Sequence, residues 1–213
     1  MDTFAEIADE RRALADLLSG LTGDQLRVQS LCEGWSVRDV AAHLVVPLEV
    51  GLPGFAVAML LSRGNFDVAN RRLTRRLARR PIEEIVAVLR KKADSRFTPP
   101  GGGPESPLTD LLVHGLDIRR PLGLTRAVPE ERMRKALTFL TTTPAPGFVT
   151  KGTLDGLRFE ADDVGWAHGT GPVVRGDADT LLLAITGRTV ARGGLTGDGV
   201  PTLRARLEPG GTR

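Results

Sequence analysis

The chain has 213 residues, of which 41% are hydrophobic and 26% are charged, a composition that excludes a wholly disordered protein. No stretch reaches the roughly 18 uncharged apolar residues that a membrane span needs. The N-terminus, MDTFAEIADERR, carries acidic residues where a signal peptide would carry basic ones. The single cysteine, Cys32, cannot form a disulfide framework. We therefore expect a cytoplasmic protein without a membrane partner.

The net charge is small although the isoelectric point is high. The formal net charge is +3 and the sequence pI is about 9.6. Tyrosine is absent and arginine outnumbers lysine, so few groups titrate between histidine and arginine. A slight basic excess then gives a high pI. The charge is weak support for nucleic-acid binding, and we expect no nucleic-acid partner.

The first part of the chain has helical periodicity. Apolar residues recur at helical spacing over 2–21, followed by a loop. Ser36 is placed to cap a second helix that starts near residue 37, with Asp39 in its first turn. Pro47 is expected to kink this helix, and Pro53-Gly54 to divide it from the apolar run that follows.

More helices are predicted downstream. The segments 67–80 and 82–92 are helical in pattern, and TPPGGGPESP is a loop by composition. A further helix is predicted from about Leu108 to Pro121. Several helices joined by loops within about 125 residues favour a helix bundle.

The C-terminal part has a different pattern. One helix is predicted over 129–141 and another over 178–187, with a Pro/Gly joint at 144–147. Between and after them come β-like runs: TLDGLRFEADD, expected to be a hairpin, VGWAHGTGPVVRG, ARGGLTGD and PTLRARLE. We predict a two-domain α+β protein, with a helical bundle over 1–126 and a small α+β domain over 127–213.

Histidine is rare, and two of the three histidines lie in predicted bundle helices. Asp110 and His114 are four residues apart and project from one helical face, with Asp117 one turn further. If the two helices pack together, His43 meets this pair. Two imidazoles and one carboxylate suit Zn²⁺ and leave a fourth coordination position open.

A purely structural interpretation also fits these residues. Asp110 could cap a helix or pair with an arginine, while His43 and His114 could be polar residues at a helix interface. The D-x-x-x-H spacing alone is a weak signal because it occurs often by chance.

Two blocks of sequence resemble a known family. LCEGWSVRDVAAHLV, with its Gly-Trp-Ser-Val-x-Asp-x-x-x-His-Leu pattern, is similar to the signature of DinB-like bundles of the mycothiol-dependent maleylpyruvate isomerase family. DLLVHGLDIRRPLG resembles the second block of that family, and GWAHGTGPVVRGDADTLLLAITGR resembles its C-terminal domain. The resemblance implies a DinB-like four-helix bundle followed by the α+β domain.

The resemblance also implies a set of metal ligands. The family's divalent-metal ligands fall on His43, Asp110 and His114. The family's isomerase has a glutamate where this chain has Asp110, which is one methylene shorter. Asp117 or a water therefore remains an alternative third ligand. His168, in the C-terminal part, is interpreted as a surface or cleft residue.

The implied function is a zinc-dependent reaction of a low-molecular-weight thiol such as mycothiol. The bound cation lowers the thiol pKa, and the thiolate adds to an activated alkene for cis–trans isomerisation, or traps an electrophile as an S-transferase. Arg204 and Arg206 are the candidates for binding an anionic substrate, because the family uses an arginine late in this domain. The alternative is a non-catalytic metal-binding protein with a regulatory or stress-related role. A homodimer is possible.

Two further features are open to more than one interpretation. Cys32 precedes the second helix and could lie near the site, although a single thiol more often packs as a small apolar group. The run RRLTRRLARR, 71–80, forms a basic band on a helix. The preferred interpretation is a solvated face. The second is a site for an anionic small molecule, and the third is a surface for anionic lipid or nucleic acid.

Overall fold

A computed structural model describes residues 2–99, 102–143, 145, 147–188 and 193–208. The described residues form ten α-helices: α1 Thr3–Ser19, α2 Gly23–Arg27, α3 Val37–Glu49, α4 Gly51–Leu61, α5 Phe66–Leu77, α6 Ile82–Lys91, α7 Glu105–Arg119, α8 Glu130–Thr142, α9 Ala178–Ile185 and α10 Val200–Leu207. Three strands complete the described fold: β1 Arg158–Ala161, β2 Trp166–Gly169 and β3 Val173–Arg175. No helix among these residues is long and apolar enough to cross a membrane.

Residue contacts divide the chain into two compact units. The first comprises Met1–Pro100 and His114–Thr125, and the second comprises Gly101–Val113 and Arg126–Arg213. Helix α7 contributes residues to both units. The predicted domain limits, 1–126 and 127–213, stay a prediction. The fold class is confirmed, since a helical N-terminal part precedes a part that mixes helices with a small sheet.

Capping determines where the helices of the first unit begin. Ser36 and Asp39 form a reciprocal capping box at the start of α3, as the sequence predicted. Thr22 and Gln25 form a second capping box, which starts the short helix α2 where the sequence indicated only a loop. Helix α3 packs against α2, α5 and α6, and α1 packs against α6.

The break after α3 differs from the prediction. Pro47 lies inside α3, and the chain turns at Gly51, whose φ of 61° is accessible to glycine at little cost. Helix α4 begins there, so Pro53 falls in its first turn, where the missing amide hydrogen costs no helical hydrogen bond. The predicted division at Pro53-Gly54 is therefore wrong by two residues.

The second unit contains a three-stranded sheet in the order β2-β1-β3. Strand β1 pairs antiparallel with β2, with Phe159 opposite His168, and parallel with β3, with Phe159 opposite Val174. Helix α8 packs against α9 and β2, and α9 packs against β1. Phe159 and the leucines of α9 are almost completely buried and form the core of this unit.

Two predictions for this unit are wrong. TLDGLRFEADD is not a hairpin by itself, because only its second half is a strand and the partner strand comes after a 3₁₀ turn at Asp162–Val164. PTLRARLE is helix α10 rather than a strand. Its alternation of leucine and arginine mimics strand periodicity, but a proline in the first turn favours a helix start, and Leu203 is buried as α10 contacts β3. ARGGLTGD is described only from residue 193, with Thr196 bridged to Arg175. The joint at 144–147 lies largely outside the described residues.

Candidate metal centre

His43 is held by a rigid helix. It lies two turns into α3, and its neighbours Ala42 and Leu44 are buried, so the position of the backbone is fixed by packing on both sides. The side chain of His43 is partly exposed and lies beside the indole of Trp35, with ring centroids 5.2 Å apart. Asp39 accepts hydrogen bonds from the backbone amide and the hydroxyl of Ser36, at 2.9 and 2.6 Å. Its contacts are those of a helix cap, as the sequence indicated.

Helix α7 carries the other candidate ligands. Asp110, His114 and Asp117 occupy positions i, i+4 and i+7, which project from one face of a helix. Asp110 is half-buried, His114 is buried, and Asp117 has no exposed surface. The helix begins at Glu105, three residues before the predicted start, so these residues lie well inside it.

The structure brings together the three residues that the sequence singled out. His43, Asp110 and His114 offer one ligand atom each, and these atoms lie within 4.8 Å of one another. The two imidazoles meet edge to face, with centroids 4.8 Å apart and an interplanar angle of 77°. Two ligand atoms that share one ion at bonds of about 2.0–2.2 Å are at most about 4.4 Å apart, so the 4.8 Å limit brings these atoms close to the separations that a shared ion requires.

Each histidine has its Nδ1 beside an oxygen acceptor. Nδ1 of His114 lies 2.8 Å from Oδ2 of Asp117, and Nδ1 of His43 lies 3.2 Å from Oδ1 of Asn70. An ionised carboxylate only accepts hydrogen bonds, so Nδ1 of His114 would be the donor to Asp117 in that state. With Nδ1 of both rings engaged in this way, Nε2 would be the nitrogen available to a metal, as in proteins whose ligating histidines donate their second nitrogen to an oxygen.

Cys32 lies closer to the centre than its sequence position indicated. Its thiol donates to Oδ2 of Asp117 at 3.1 Å, and its sulfur lies 3.9 Å from Nδ1 of His114. Cys32, His114 and Asp117 therefore form a second group of ligand atoms within 4.8 Å. The backbone amide of Leu31 donates to the carbonyl of Asp117 at 3.2 Å and ties this loop to α7.

The sequence offered a partial signal for this proximity. Cys32 stands at the start of the block that carries His43, and Asp117 ends the block that carries His114. Neither spacing revealed that the loop before α3 folds back onto α7. Asn70 was missed altogether, because it lies on α5 in a run whose arginines dominate the pattern.

The remaining candidates lie in the second unit. Arg204 and Arg206 are exposed on α10, and Nη1 of Arg206 donates to the carbonyls of Thr153 and Asp155 at 3.1 and 2.7 Å. His168 lies on β2 with its ring stacked beside Trp166. The interpretation of Arg204 and Arg206 as substrate-binding residues stays a prediction.

The chain combines a DinB-like helical part, in which two histidines lie close to a carboxylate, with a small α+β part. Residues 7–52 match the family model of the mycothiol maleylpyruvate isomerase N-terminal domain. Over that part of the chain the match bears out the resemblance predicted from the sequence.

Two solved structures have the same fold. The crystal structure of the mycothiol-dependent maleylpyruvate isomerase superposes with a TM-score of 0.54 at 16% identity. A mutant of it, in which a histidine is replaced by alanine, gives a TM-score of 0.53 at 17% identity. Each comparison covers 93% of this chain and 96% of the other. No curated protein matches the sequence.

Proposed function

We propose that this protein is a divalent-metal-dependent enzyme that uses a low-molecular-weight thiol, mycothiol or a close analogue, to isomerise a small maleylpyruvate-like substrate from cis to trans. One observation carries the proposal: His43, Asp110 and His114 lie within 4.8 Å of one another in a fold shared with the mycothiol-dependent maleylpyruvate isomerase. The matched family domain over 7–52 includes His43.

The donor set fits a zinc ion. Two imidazole nitrogens and one carboxylate oxygen are the ligand types of catalytic zinc sites, which keep a fourth position for water or substrate. Both histidines have Nδ1 beside an acceptor oxygen, which fixes the ring orientation that a metal ligand requires. A bound divalent cation would lower the pKa of an incoming thiol and so supply a thiolate nucleophile near neutral pH.

The residues around the centre have separate roles in this proposal. His43, Asp110 and His114 hold the ion. Asp117 and Asn70 orient the two imidazoles. Trp35, against the ring of His43, limits that ring's motion and shields it from water on one side.

The substrate is expected to be small, electrophilic and anionic. Arginine forms paired hydrogen bonds with carboxylates, and Arg204 and Arg206 are the candidates we assign to that task. Transfer of the thiol to an electrophile, without its release, would use the same centre and is the second reaction to test. A metal-binding protein without turnover is the remaining alternative.

Metal analysis and a thiol-dependent assay test the proposal. The purified protein is expected to bind about one Zn²⁺ per chain, and His43→Ala and His114→Ala are each expected to lose it. Isomerisation of maleylpyruvate should require both zinc and mycothiol. Zinc binding without any thiol-dependent turnover would support the non-catalytic alternative. Failure of the wild-type protein to bind any divalent ion would overturn the proposal.

A further inference from the structure

Helices α4 and α5 expose large apolar side chains. Val57, Leu60 and Leu61 on α4 are 57%, 80% and 64% exposed, and their spacing places them on one face of the helix. Phe66 and Val68, at the start of α5, are 50% and 40% exposed. We call these five residues the apolar ridge. A cluster of exposed apolar residues marks an interaction surface, whereas apolar residues scattered singly over a surface are ordinary.

The next turns of α5 carry unpaired arginines. Arg71, Arg72, Arg75, Arg76 and Arg79 are exposed, and none forms an ion pair or side-chain hydrogen bond with any described residue. We call these five the arginine band. Exposed arginines on other helices include paired ones: Arg12 with Asp94 at 2.7 Å, and Arg90 with Asp16 at 3.0 Å.

Positive charge is concentrated in this segment. Residues 63–80 contain seven arginines and one acidic residue, Asp67, whereas the whole chain has a net charge of +3. Only Arg80 in this segment has an ion-pair partner among the described residues, the carboxylate of Glu49 at 2.5 Å. The segment therefore presents a positive potential that its single acidic residue offsets only in part.

The apolar ridge and the arginine band are carried by two helices that are neighbours in the fold. Helices α4 and α5 pack against each other, and the rings of Phe55 and Phe66 lie 5.6 Å apart. On α5 the buried residues Ala69, Leu73 and Leu77 face α3 and α4. Val68 precedes Arg71 and Arg72 by three and four residues, so it lies beside them on the exposed side.

We infer that the α4–α5 surface binds peripherally to an anionic lipid bilayer. A bilayer offers both acidic headgroups for the arginine band and an acyl boundary for the apolar ridge. A nucleic acid would satisfy the arginines but leave the leucines in water. A second copy of this chain would cover the leucines but bring two bands of like charge together. The sequence predicts no membrane partner and favours anionic lipid least for the arginine band, because it does not show that the run 55–61 is exposed.

Vesicle sedimentation with the full chain tests the inference. The wild-type protein should sediment with vesicles of phosphatidylcholine mixed with phosphatidylglycerol, and not with vesicles of phosphatidylcholine alone. Leu60→Ser/Leu61→Ser and Arg72→Gln/Arg75→Gln/Arg76→Gln should each weaken binding at least about tenfold. The matched control, Arg27→Gln/Arg90→Gln/Arg96→Gln, removes the same charge from positions outside α4 and α5 and should bind as the wild type does. Circular dichroism confirms that each variant folds.

The outcomes separate this inference from its competitors and from the proposed function. Binding that falls equally in the control triple, or that is unchanged by the leucine substitutions, would overturn it in favour of a general charge effect. Retention on duplex DNA without vesicle binding would assign the arginine band to nucleic acid instead. Dimerisation that the leucine substitutions abolish, without vesicle binding, would assign the apolar ridge to a second copy. Zinc binding should be unchanged in all these variants, since none alters a residue of the metal centre.

Discussion

Nδ1 of His114 lies 2.8 Å from the carboxylate of Asp117, a residue with no exposed surface. A buried carboxylate is costly unless hydrogen bonds compensate for its lost hydration. Here the imidazole of His114 and the thiol of Cys32 both approach Oδ2 of Asp117. The same contacts that satisfy Asp117 also fix the orientation of His114. The proposed function therefore treats Asp117 as a positioning residue and Asp110 as the third ligand.

Asp117→Asn is expected to weaken zinc binding about 10- to 100-fold while leaving the stoichiometry near one ion. The amide keeps the shape of the side chain but loses the negative charge that holds the Nδ1 proton. Competition with a chromogenic chelator measures the affinity. Asp110→Asn is the comparison variant, and its loss of affinity should be larger because the proposal makes Asp110 a direct ligand of the ion. If Asp117→Asn abolishes binding and Asp110→Asn leaves it intact, the two roles are reversed.

Asn70→Leu should weaken zinc binding less than Asp117→Asn does. Asn70 is a neutral acceptor at 3.2 Å from Nδ1 of His43, and a neutral hydrogen bond is weaker than one to a carboxylate. The same chelator competition checks this order of affinities. Asn65→Leu is unsuitable as a control, because Asn65 caps α5. The control is Asn70→Asp, which should retain or increase the affinity for zinc.

Cys32→Ser is expected to keep the zinc content of the wild type. In this interpretation the thiol donates to Asp117 and does not bind the ion, and a serine hydroxyl can make the same hydrogen bond. Replacement of zinc by cobalt provides the measurement, since a bound thiolate gives a charge-transfer band in the near ultraviolet. The band should be absent from the wild-type protein without added thiol. Its presence there, and its loss in Cys32→Ser, would make Cys32 a ligand.

Arg206→Ala should lower the melting temperature. Loss of the guanidinium leaves the carbonyls of Thr153 and Asp155 without their donor, at a cost of about 1–2 kcal/mol. Thermal unfolding followed by circular dichroism measures the change. The substrate-binding role proposed above predicts in addition a raised KM for the anionic substrate, and an unchanged melting temperature would contradict the structural role of the two hydrogen bonds.

Glu160 makes the stability of the second unit sensitive to acid. Hydrogen bonds from Arg158, at 2.6 Å, and from Arg175 lower the pKa of Glu160 below its usual value. A lowered pKa in the folded state means that protonation favours unfolding. The contribution of Glu160 is therefore complete above the ordinary glutamate pKa and is lost as the pH falls through the lowered value.

The Glu160→Gln variant checks this dependence. Its melting temperature should lie below that of the wild type at neutral pH, and the difference should shrink in acid. Glu33→Gln, an exposed position without an ion pair among the described residues, should show no such convergence. A difference that is independent of pH would rule out an electrostatic origin.

The sequence predicted the helical part well because its signals are local. The capping box of Ser36 and Asp39 and the i, i+4 relation of Asp110 and His114 are properties of single helices, so they can be identified before any packing is known. The convergence of His43 on this pair required one assumption about helix packing, and the ring distance of 4.8 Å agrees with it.

The features of the site that the sequence did not predict are contacts between distant segments. The hydrogen bond from Cys32 to Asp117 joins residues 85 positions apart, and the contact of His43 with Asn70 joins residues on different helices. Helix α10 was mistaken for a strand because alternating leucine and arginine fits both periodicities over eight residues. The exposure of Leu60 could not be foreseen, because an apolar helix is expected to be buried.

The spacing of three side chains along α7 constrains the candidate metal centre. Asp110, His114 and Asp117 lie within about two turns of one helix, so inserting or deleting a single residue among them would rotate the later side chains by about 100°. Such a change would turn the imidazole away from its partners even if the helix remained intact. Between residues 110 and 117 the arrangement is therefore compatible with replacement of one side chain by another but not with a change of length.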